Sequence, residues 1–170
     1  MSDLSLTILA ETAGDATAIE RLHERTFGPG RYARSAFRIR EGRDHLLELS
    51  FTARVGTLLV GSVRLTPVTV GAARALLLGP LTVEPPFRSR GIGSVLISRA
   101  LDEAKKKGHK LVLLVGDAPY YAKSGFKQVP KGQVKMPGPA DPDRILVAEL
   151  MPGAFSAAVT GTVLPDWEEK

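Results

Sequence analysis

The stretch Gly79-Pro80-Leu81-Thr82-Val83-Glu84-Pro85-Pro86-Phe87-Arg88-Ser89-Arg90-Gly91-Ile92-Gly93-Ser94 decides the fold. An apolar run, Ala75 to Val83, reads as a strand. A short loop follows, and a helix opens inside an R-x-x-G-x-G pattern at Arg88, Gly91 and Gly93. The first turn of a helix leaves backbone N–H groups unpaired at its positive dipole end, and such groups attract phosphate. Gly91 and Gly93 carry no Cβ, so a ligand can approach the backbone, and Arg88 and Arg90 add charge beside it. Alone, a G-x-G step is also what a tight strand-to-helix turn requires. A Rossmann fingerprint needs a third glycine where Leu96 stands, and no G-x-x-x-x-G-K-[S/T] loop is present.

Upstream, Gly79-Pro80 interrupts the strand. Proline cannot donate to a sheet ladder and glycine weakens one. The pair predicts a bulge or lost pairing, with two neighbouring strands splayed apart. Backbone groups freed there can bind an extended, amide-containing ligand as another strand would. A splayed strand followed by a phosphate cradle suits a molecule with a pyrophosphate at one end and a peptide-like arm, which is the shape of coenzyme A.

The rest of the chain supplies a mixed α/β frame. Leu4 to Leu9 alternates and reads as a first strand, and Gly14-Asp15 opens a helix with Asp15 as its N-cap. Gly28-Pro29-Gly30 stops that helix. Five arginines lie between Arg31 and Arg43 in a segment read as a loosely packed surface helix or loop, with contact to an acidic acceptor or a phosphate as the alternative. His45 to Ala53 and Thr57 to Val70 read as strands, the second ending or reaching an edge at Pro67. Gly91 to Lys107 is a helix with an apolar stripe of Ile97, Ala100, Leu101 and Ala104. Leu111 to Val115 is a strand covered on both faces. Pro119 sits in the first turn of a short helix that Asp117 caps and Gly125 ends. Phe126–Val129 and Ile145–Leu150 are the last strands, separated by a loop from Pro130 to Pro142. The apolar tail beyond Pro152, which includes Phe155, Val159, Val163, Leu164 and Trp167, packs on the sheet or on a second subunit. The order predicts helices on a mostly antiparallel sheet with one parallel pair joined by the long helix.

The 170 residues suit a single domain over 1–170, with a core at about 4–150 and an extension at 151–170. With 44% hydrophobic and 24% charged residues, the balance is that of a globular protein. The chain has no cysteine, so disulfides and thiolate metal sites are excluded, and no other metal-ligand spacing stands out. Asp141-Pro142-Asp143 reads as a turn. No apolar stretch is long enough for a bilayer, so no membrane partner and a cytoplasmic location are expected. The net charge of +5 steers acidic ligands.

Two linked motifs make the resemblance specific. Leu81 to Leu96 resembles the coenzyme-A-binding motif of the GNAT superfamily of N-acetyltransferases, with its signature at Arg88, Gly91 and Gly93. Tyr120-Tyr121-Ala122-Lys123-Ser124-Gly125-Phe126 resembles the family's next motif, and its Tyr-Tyr form resembles a bacterial branch of predicted N-acetyltransferases. The resemblance implies a GNAT fold: a mixed, mostly antiparallel sheet of six to seven strands with splayed fourth and fifth strands and flanking helices. It implies transfer of an acetyl group from acetyl-CoA, without a metal, to a primary amine of a small molecule or peptide. The amine would attack directly in a ternary complex. Backbone groups of Leu81, Thr82 and Val83 would hold the pantetheine arm. Arg88, Ser89, Arg90, Gly91, Ile92, Gly93 and Ser94 would hold the pyrophosphate. An amide of the fourth strand would meet the thioester carbonyl and its developing charge. Tyr121 matches the tyrosine near the coenzyme sulfur and would be the general acid. The acceptor pocket is expected to use Gly28–Arg43 and the loop after Val129. Dimerisation is common in the family, and no residue here fixes it.

The base is less defined. The fourth strand holds no acid or histidine, which leaves Glu84 and Asp117 as candidates beside a water relay. His23, His45 and His109 are scattered and read as surface or structural residues. The asparagine that many relatives place before the tyrosine helix is missing. The absent base keeps open a non-catalytic acyl-CoA sensor or interaction module. A basic nucleic-acid-binding domain is the least favoured reading, since interleaved aromatics and a recognisable reader element are lacking.

Overall fold

The apolar runs become strands of one mixed sheet in the computed structural model, which describes residues 5–166. Leu4, read above as the start of the first strand, and Trp167 of the tail lie outside that range. The chain runs β1 (Leu6–Ala10), α1 (Ala16–Phe27), α2 (Ser35–Gly42), β2 (Phe51–Val55), β3 (Leu58–Val70) and β4 (Ala73–Val83). It continues through α3 (Ile92–Lys106), β5 (Leu111–Val115), α4 (Ala118–Ala122), β6 (Lys127–Gln128), β7 (Val134–Lys135), β8 (Ile145–Glu149) and β9 (Gly161–Pro165). The spatial order is β1-β2-β3-β4-β5-β8-β6. Neighbours in it are antiparallel except β4 and β5, the parallel pair that α3 connects.

Two cores sandwich the sheet. On one face, Ile92, Leu96, Ile97, Ala100 and Ala104 of α3 pack on Phe51, Val63, Leu65, Leu76, Leu78, Val112 and Leu114. On the other, Ile39 of α2 packs with Val68, Val70, Leu77, Leu113 and Val147. Leu111 and Leu113 face one core while Val112 and Leu114 face the other, so β5 is covered on both sides as its unbroken apolar run predicts.

Gly79-Pro80 forms the expected bulge. Val63 pairs with Leu81 and Leu65 with Leu78, so Arg64 alone stands opposite two residues. The extra residue resets the alternation. Leu76 and Leu78 before it and Leu81 and Val83 after it all pack towards α3. β4 pairs with β5 only at Leu76 and Leu77, so the two strands part beyond that point.

Several readings are corrected. The strand placed at His45–Ala53 is a 3₁₀ turn at Leu47–Leu49 followed by β2. Ser50 explains it: its hydroxyl donates to the Leu46 carbonyl and accepts from Leu65 N–H, replacing ladder bonds. β3 does not end at Pro67. Leu46 N–H donates to the Leu65 carbonyl and Asp166 N–H to that of Pro67, so proline falls where the β2 side of β3 passes to β9. The arginine-rich segment is not loose: Phe37 and Ile39 of α2 are buried at 5% and 1% exposure. The Pro130–Pro142 loop holds β7, which pairs with β9 as a second parallel couple. The tail docks on the sheet through β9 and β3. Asp15 stands at the start of α1 but does not cap it; its carboxylate accepts from Thr12 N–H and from Arg54.

Under α1 lies a buried polar cluster. Arg64, 1% exposed, donates through Nε and Nη2 to Glu11 at 3.0 and 3.1 Å, and His45 Nε2 lies 2.8 Å from Glu11 Oε2. Burial alone would raise the Glu11 pKa, but its hydrogen bonds to His45 and Arg64 and their charges bring it below the usual value. His23 is fully buried between the rings of Phe27 and Phe37. Burial, followed by the positive charges of Arg64 and Arg40, drives its pKa down to about 3.

Candidate active site

The first half of the site is the turn from β4 into α3. After Val83 the chain makes a 3₁₀ turn at Pro85–Phe87, then takes a left-handed step at Ser89 (φ 65°) and another at Gly91 (φ 79°). The first bond that closes α3 runs from Val95 N–H to the Gly91 carbonyl. The N–H groups of Ile92, Gly93 and Ser94 therefore precede the helical ladder and face outwards. They border a cleft of about 620 Å³ whose wall also includes Leu81, Thr82, Val83, Arg88, Ser89, Phe27, Tyr120 and Lys123. Arg88 Nε donates to the Val83 carbonyl at 3.1 Å and pins the loop to the strand end. Arg90 does not line the cleft; its guanidinium lies 5.4 Å over the Phe87 ring.

The two glycines have different tasks. A Cβ on Gly91 would meet open space, and that position needs glycine for its left-handed φ. A Cβ on Gly93 would collide with the Tyr120 hydroxyl. Gly93 thus makes room for Tyr120, a task that neither ligand approach nor a tight turn had suggested.

The second half lies where β4 and β5 part. A cavity of about 210 Å³ is bordered by Leu77 to Leu81, Val115, Tyr121, Arg34, Ser35, Ala36, Asp141 and Arg144. Leu81, just past the bulge, borders both spaces. Tyr121 is fixed from three sides. A Cβ on Gly116 would run into its ring, Phe126 meets it edge-on at 5.9 Å, and Tyr120 does so at 4.9 Å. Burial first, and then Tyr120, pushes the Tyr121 phenol up to about 12, although Arg34 and Arg144 pull the other way.

The candidate bases lie elsewhere. Glu84 accepts from Arg25 Nη2 at 2.9 Å and lines neither cavity. Asp117 is exposed at the start of α4; its backbone carbonyl accepts from Tyr121 N–H, but its carboxylate makes no capping bond and lines neither cavity. The expected cap is therefore absent. Asp141 does form the anticipated turn, accepting from Asp143 N–H, yet it also borders the Tyr121 cavity. Sequence reasoning assigned the acceptor pocket to Gly28–Arg43 and the loop after Val129, the segments that hold Arg34, Asp141 and Arg144, without singling out any of the three as a site residue, and it missed Gly116. Gly116 left a local signal, a glycine directly after an apolar strand, and that reads equally as a turn. Among the described residues, no group of three or more His, Asp or Glu side chains is arranged for a metal, and no helix is long and apolar enough to cross a membrane.

Residues 16–126 match the family described as acetyltransferase (GNAT). Over 160 residues the chain is 28% identical to the uncharacterised N-acetyltransferase YhbS of Escherichia coli, covering 93% of this chain and 95% of that one. The crystal structure of YhbS in complex with CoA superposes with a TM-score of 0.81 at 25% identity, covering 98% of this chain and 92% of YhbS. A GNAT family acetyltransferase of Brucella melitensis, in complex with acetyl-CoA, gives a TM-score of 0.63 at 25% identity, with coverage of 91% and 100%. A shorter match, 42% identity over 62 residues, links the chain to an uncharacterised N-acetyltransferase of Methanocaldococcus jannaschii; it spans 32% of this chain and 27% of that protein.

Proposed function

The chain belongs to the acetyltransferase (GNAT) family, and from that premise we propose that it moves an acetyl group from acetyl-CoA to a primary amine by direct attack in a ternary complex. The observation that carries this reading is the position of Leu81, which borders both a cleft at an open helix N-terminus and a cavity holding a tyrosine.

The residues fit the coenzyme. The edge of β4 beyond Leu77 has no partner in β5, so its backbone groups are available to the amides of a pantetheine arm. The first-turn N–H groups of α3 and the charge of Arg88 suit a pyrophosphate. Gly91 leaves the approach open. The bound coenzyme supplies an activated thioester. In the net reaction a nitrogen–carbon bond forms, the carbon–sulfur bond breaks, and the hydrogen lost by nitrogen ends on sulfur.

We assign Tyr121 to the leaving sulfur. A phenol near 12 remains protonated at neutral pH. It also holds its proton more tightly than a thiol, for which about 8.5 is usual in cysteine. Full proton transfer to a thiolate is therefore uphill, and Tyr121 acts chiefly as a hydrogen-bond donor to developing negative charge. Such a bond contributes about 1.5–3 kcal/mol. Tyr121→Phe is expected to lower kcat roughly 10- to 100-fold while leaving the calorimetric Kd for acetyl-CoA within about twofold; unchanged turnover removes this role. Neither Glu84 nor Asp117 lines the cavity with Tyr121, but Asp141 does, so the amine enters neutral or loses its proton to water or to Asp141. The absence of both expected bases from that cavity favours the second reading, an acyl-CoA sensor without turnover. Release of free thiol on adding amines separates the two, and absence of acetyl-CoA binding at high micromolar ligand defeats both.

A further inference from the structure

The cavity beside Tyr121 carries more charge than acyl transfer to a simple amine needs. Arg34 precedes α2, and Arg144 precedes β8. They come from opposite ends of the chain, yet both border this one space. Tyr121 borders the same space, so the three groups face a common volume. Both arginines are exposed, so water screens their repulsion, and an anion between the two guanidinium groups would remove what remains of it.

Among the described residues, neither arginine forms an ion pair with an acid. Arg34 lies 4.3 Å over the Phe27 ring, and Arg144 Nε donates to the Gly116 carbonyl at 3.3 Å. Both contacts orient the side chains while leaving guanidinium N–H groups available, since each guanidinium carries five donors. The floor between them adds a further pull. Arg38 N–H bonds to the Arg34 carbonyl, so α2 presents the earlier N–H groups of Ser35, Ala36 and Phe37 at its open end, and Ser35 and Ala36 border the cavity. Ser35 is 6% exposed, and its hydroxyl has no hydrogen-bond partner among the described residues. One acid, Asp141, borders the same space and is exposed. Two cations and one anion around a small cavity complement a zwitterion, with its ammonium towards Asp141 and its anionic group between the arginines.

The geometry points to an acceptor that is a small amine bearing its own anionic group, an amino acid or an aminoalkyl phosphate, with Arg34 and Arg144 as the residues that select it. This rests on the acyl-transfer reading above. The cradle that would take the coenzyme phosphates lies on the other side of Leu81, so the two arginines are not needed there. A polyamine or an aminoglycoside would bring further positive charge to the arginines and is selected against.

The test is thiol release from acetyl-CoA with a matched panel: free amino acids, their amides or methyl esters, aminoalkyl phosphates, and the polyamine spermidine. Amino acids or aminoalkyl phosphates are expected to exceed the uncharged partners in kcat/KM by at least tenfold. The carboxylate and phosphate arms identify which anion is preferred. Arg34→Gln and Arg144→Gln are each expected to raise KM for the anionic amine about tenfold while leaving the Kd for acetyl-CoA unchanged. Calorimetry with acetyl-CoA and a melting curve accompany each variant, so loss of fold or of donor binding is seen directly. Acetylation of amides, esters or spermidine as fast as the acids, or unchanged KM in both variants, overturns the inference while leaving acyl transfer standing. Failure of the wild-type protein to bind acetyl-CoA overturns the acyl-transfer reading, and this inference falls with it.

Discussion

At the scale of single residues, the site depends on glycines that make room for tyrosines. Gly93 accommodates the Tyr120 hydroxyl, and Gly116 accommodates the Tyr121 ring. Both tyrosines are visible in the sequence motif, but their seats are not, because a glycine that permits a turn and one that admits a ring look alike in one dimension. Gly116→Ala places a methyl group against the Tyr121 ring, whose neighbours Tyr120 and Phe126 leave it little freedom to move. Overpacking of this kind costs about 1–3 kcal/mol. If Tyr121 acts through its position, Gly116→Ala lowers kcat about as far as Tyr121→Phe does. The double variant then falls no further than the worse single one, since both remove the same interaction. Steady-state kinetics on the three proteins measures this directly, and additive losses would show that Gly116 acts through something other than Tyr121.

At the scale of elements, the β4–α3 unit was legible because its backbone irregularities need particular residues. A bulge needs something like Gly79-Pro80, and a left-handed entry to a helix needs something like Gly91. The wall that shares the cavity with Tyr121 was legible only as two segments, Gly28–Arg43 and the loop after Val129, and not as residues. Arg34, Asp141 and Arg144 lie on segments whose local pattern is polar, and only the tertiary fold brings them to one cavity. The strand misplaced at His45–Ala53 has a similar cause: the apolar pattern there is real, but Ser50 satisfies the backbone with its side chain instead. Gly91→Val tests the helix entry. A non-glycine residue in the left-handed region costs about 1–2 kcal/mol, and the side chain would stand in the open approach to the cleft. Binding of CoA, read by calorimetry, is expected to weaken at least tenfold. Gly91→Asn, which tolerates that φ better, should melt closer to wild type and so separates backbone strain from occlusion. In α1, His23 sets an acid limit on stability. Its folded pKa of about 3 is depressed from about 6.5. Above about 6.5 the group is neutral in both states and has no effect; below it only the unfolded chain takes up the proton. Stability therefore falls by about 1.4 kcal/mol per pH unit from about 6.5 towards 3. Glu11, depressed by its partners, adds a loss as pH falls through its own folded value. Urea unfolding at pH 7 and 4.5 should show a drop from His23 of about 3 kcal/mol, which is absent in His23→Leu.

At the scale of the whole molecule, the last strand links stability to the proposed acceptor cavity. β9 covers the edge of β3 that β2 leaves, pairing Val68 to Val70 with Val163 to Pro165. It also gives β7 its partner and buries Val159 and Val163 at 6% and 0% exposure. The connection reaches α2, because Arg43 Nε donates to the Asp166 carbonyl at 2.9 Å and Asp166 N–H donates to the Pro67 carbonyl. α2 in turn carries Ser35 and Ala36 to the cavity beside Tyr121. The coenzyme cradle of β4 and α3 has no such dependence on β9. Deleting residues 157–170 removes two buried valines, each contributing about 1.5–3 kcal/mol, and bares an edge that invites pairing between chains. Stability should fall by roughly 3–6 kcal/mol, with a lower Tm and greater self-association in size-exclusion chromatography. In the fraction that stays folded at low temperature, CoA affinity should change little while KM for the amine rises, because the loosened wall belongs to the acceptor side. Equal loss of both would place β9 in support of the sheet as a whole rather than of α2.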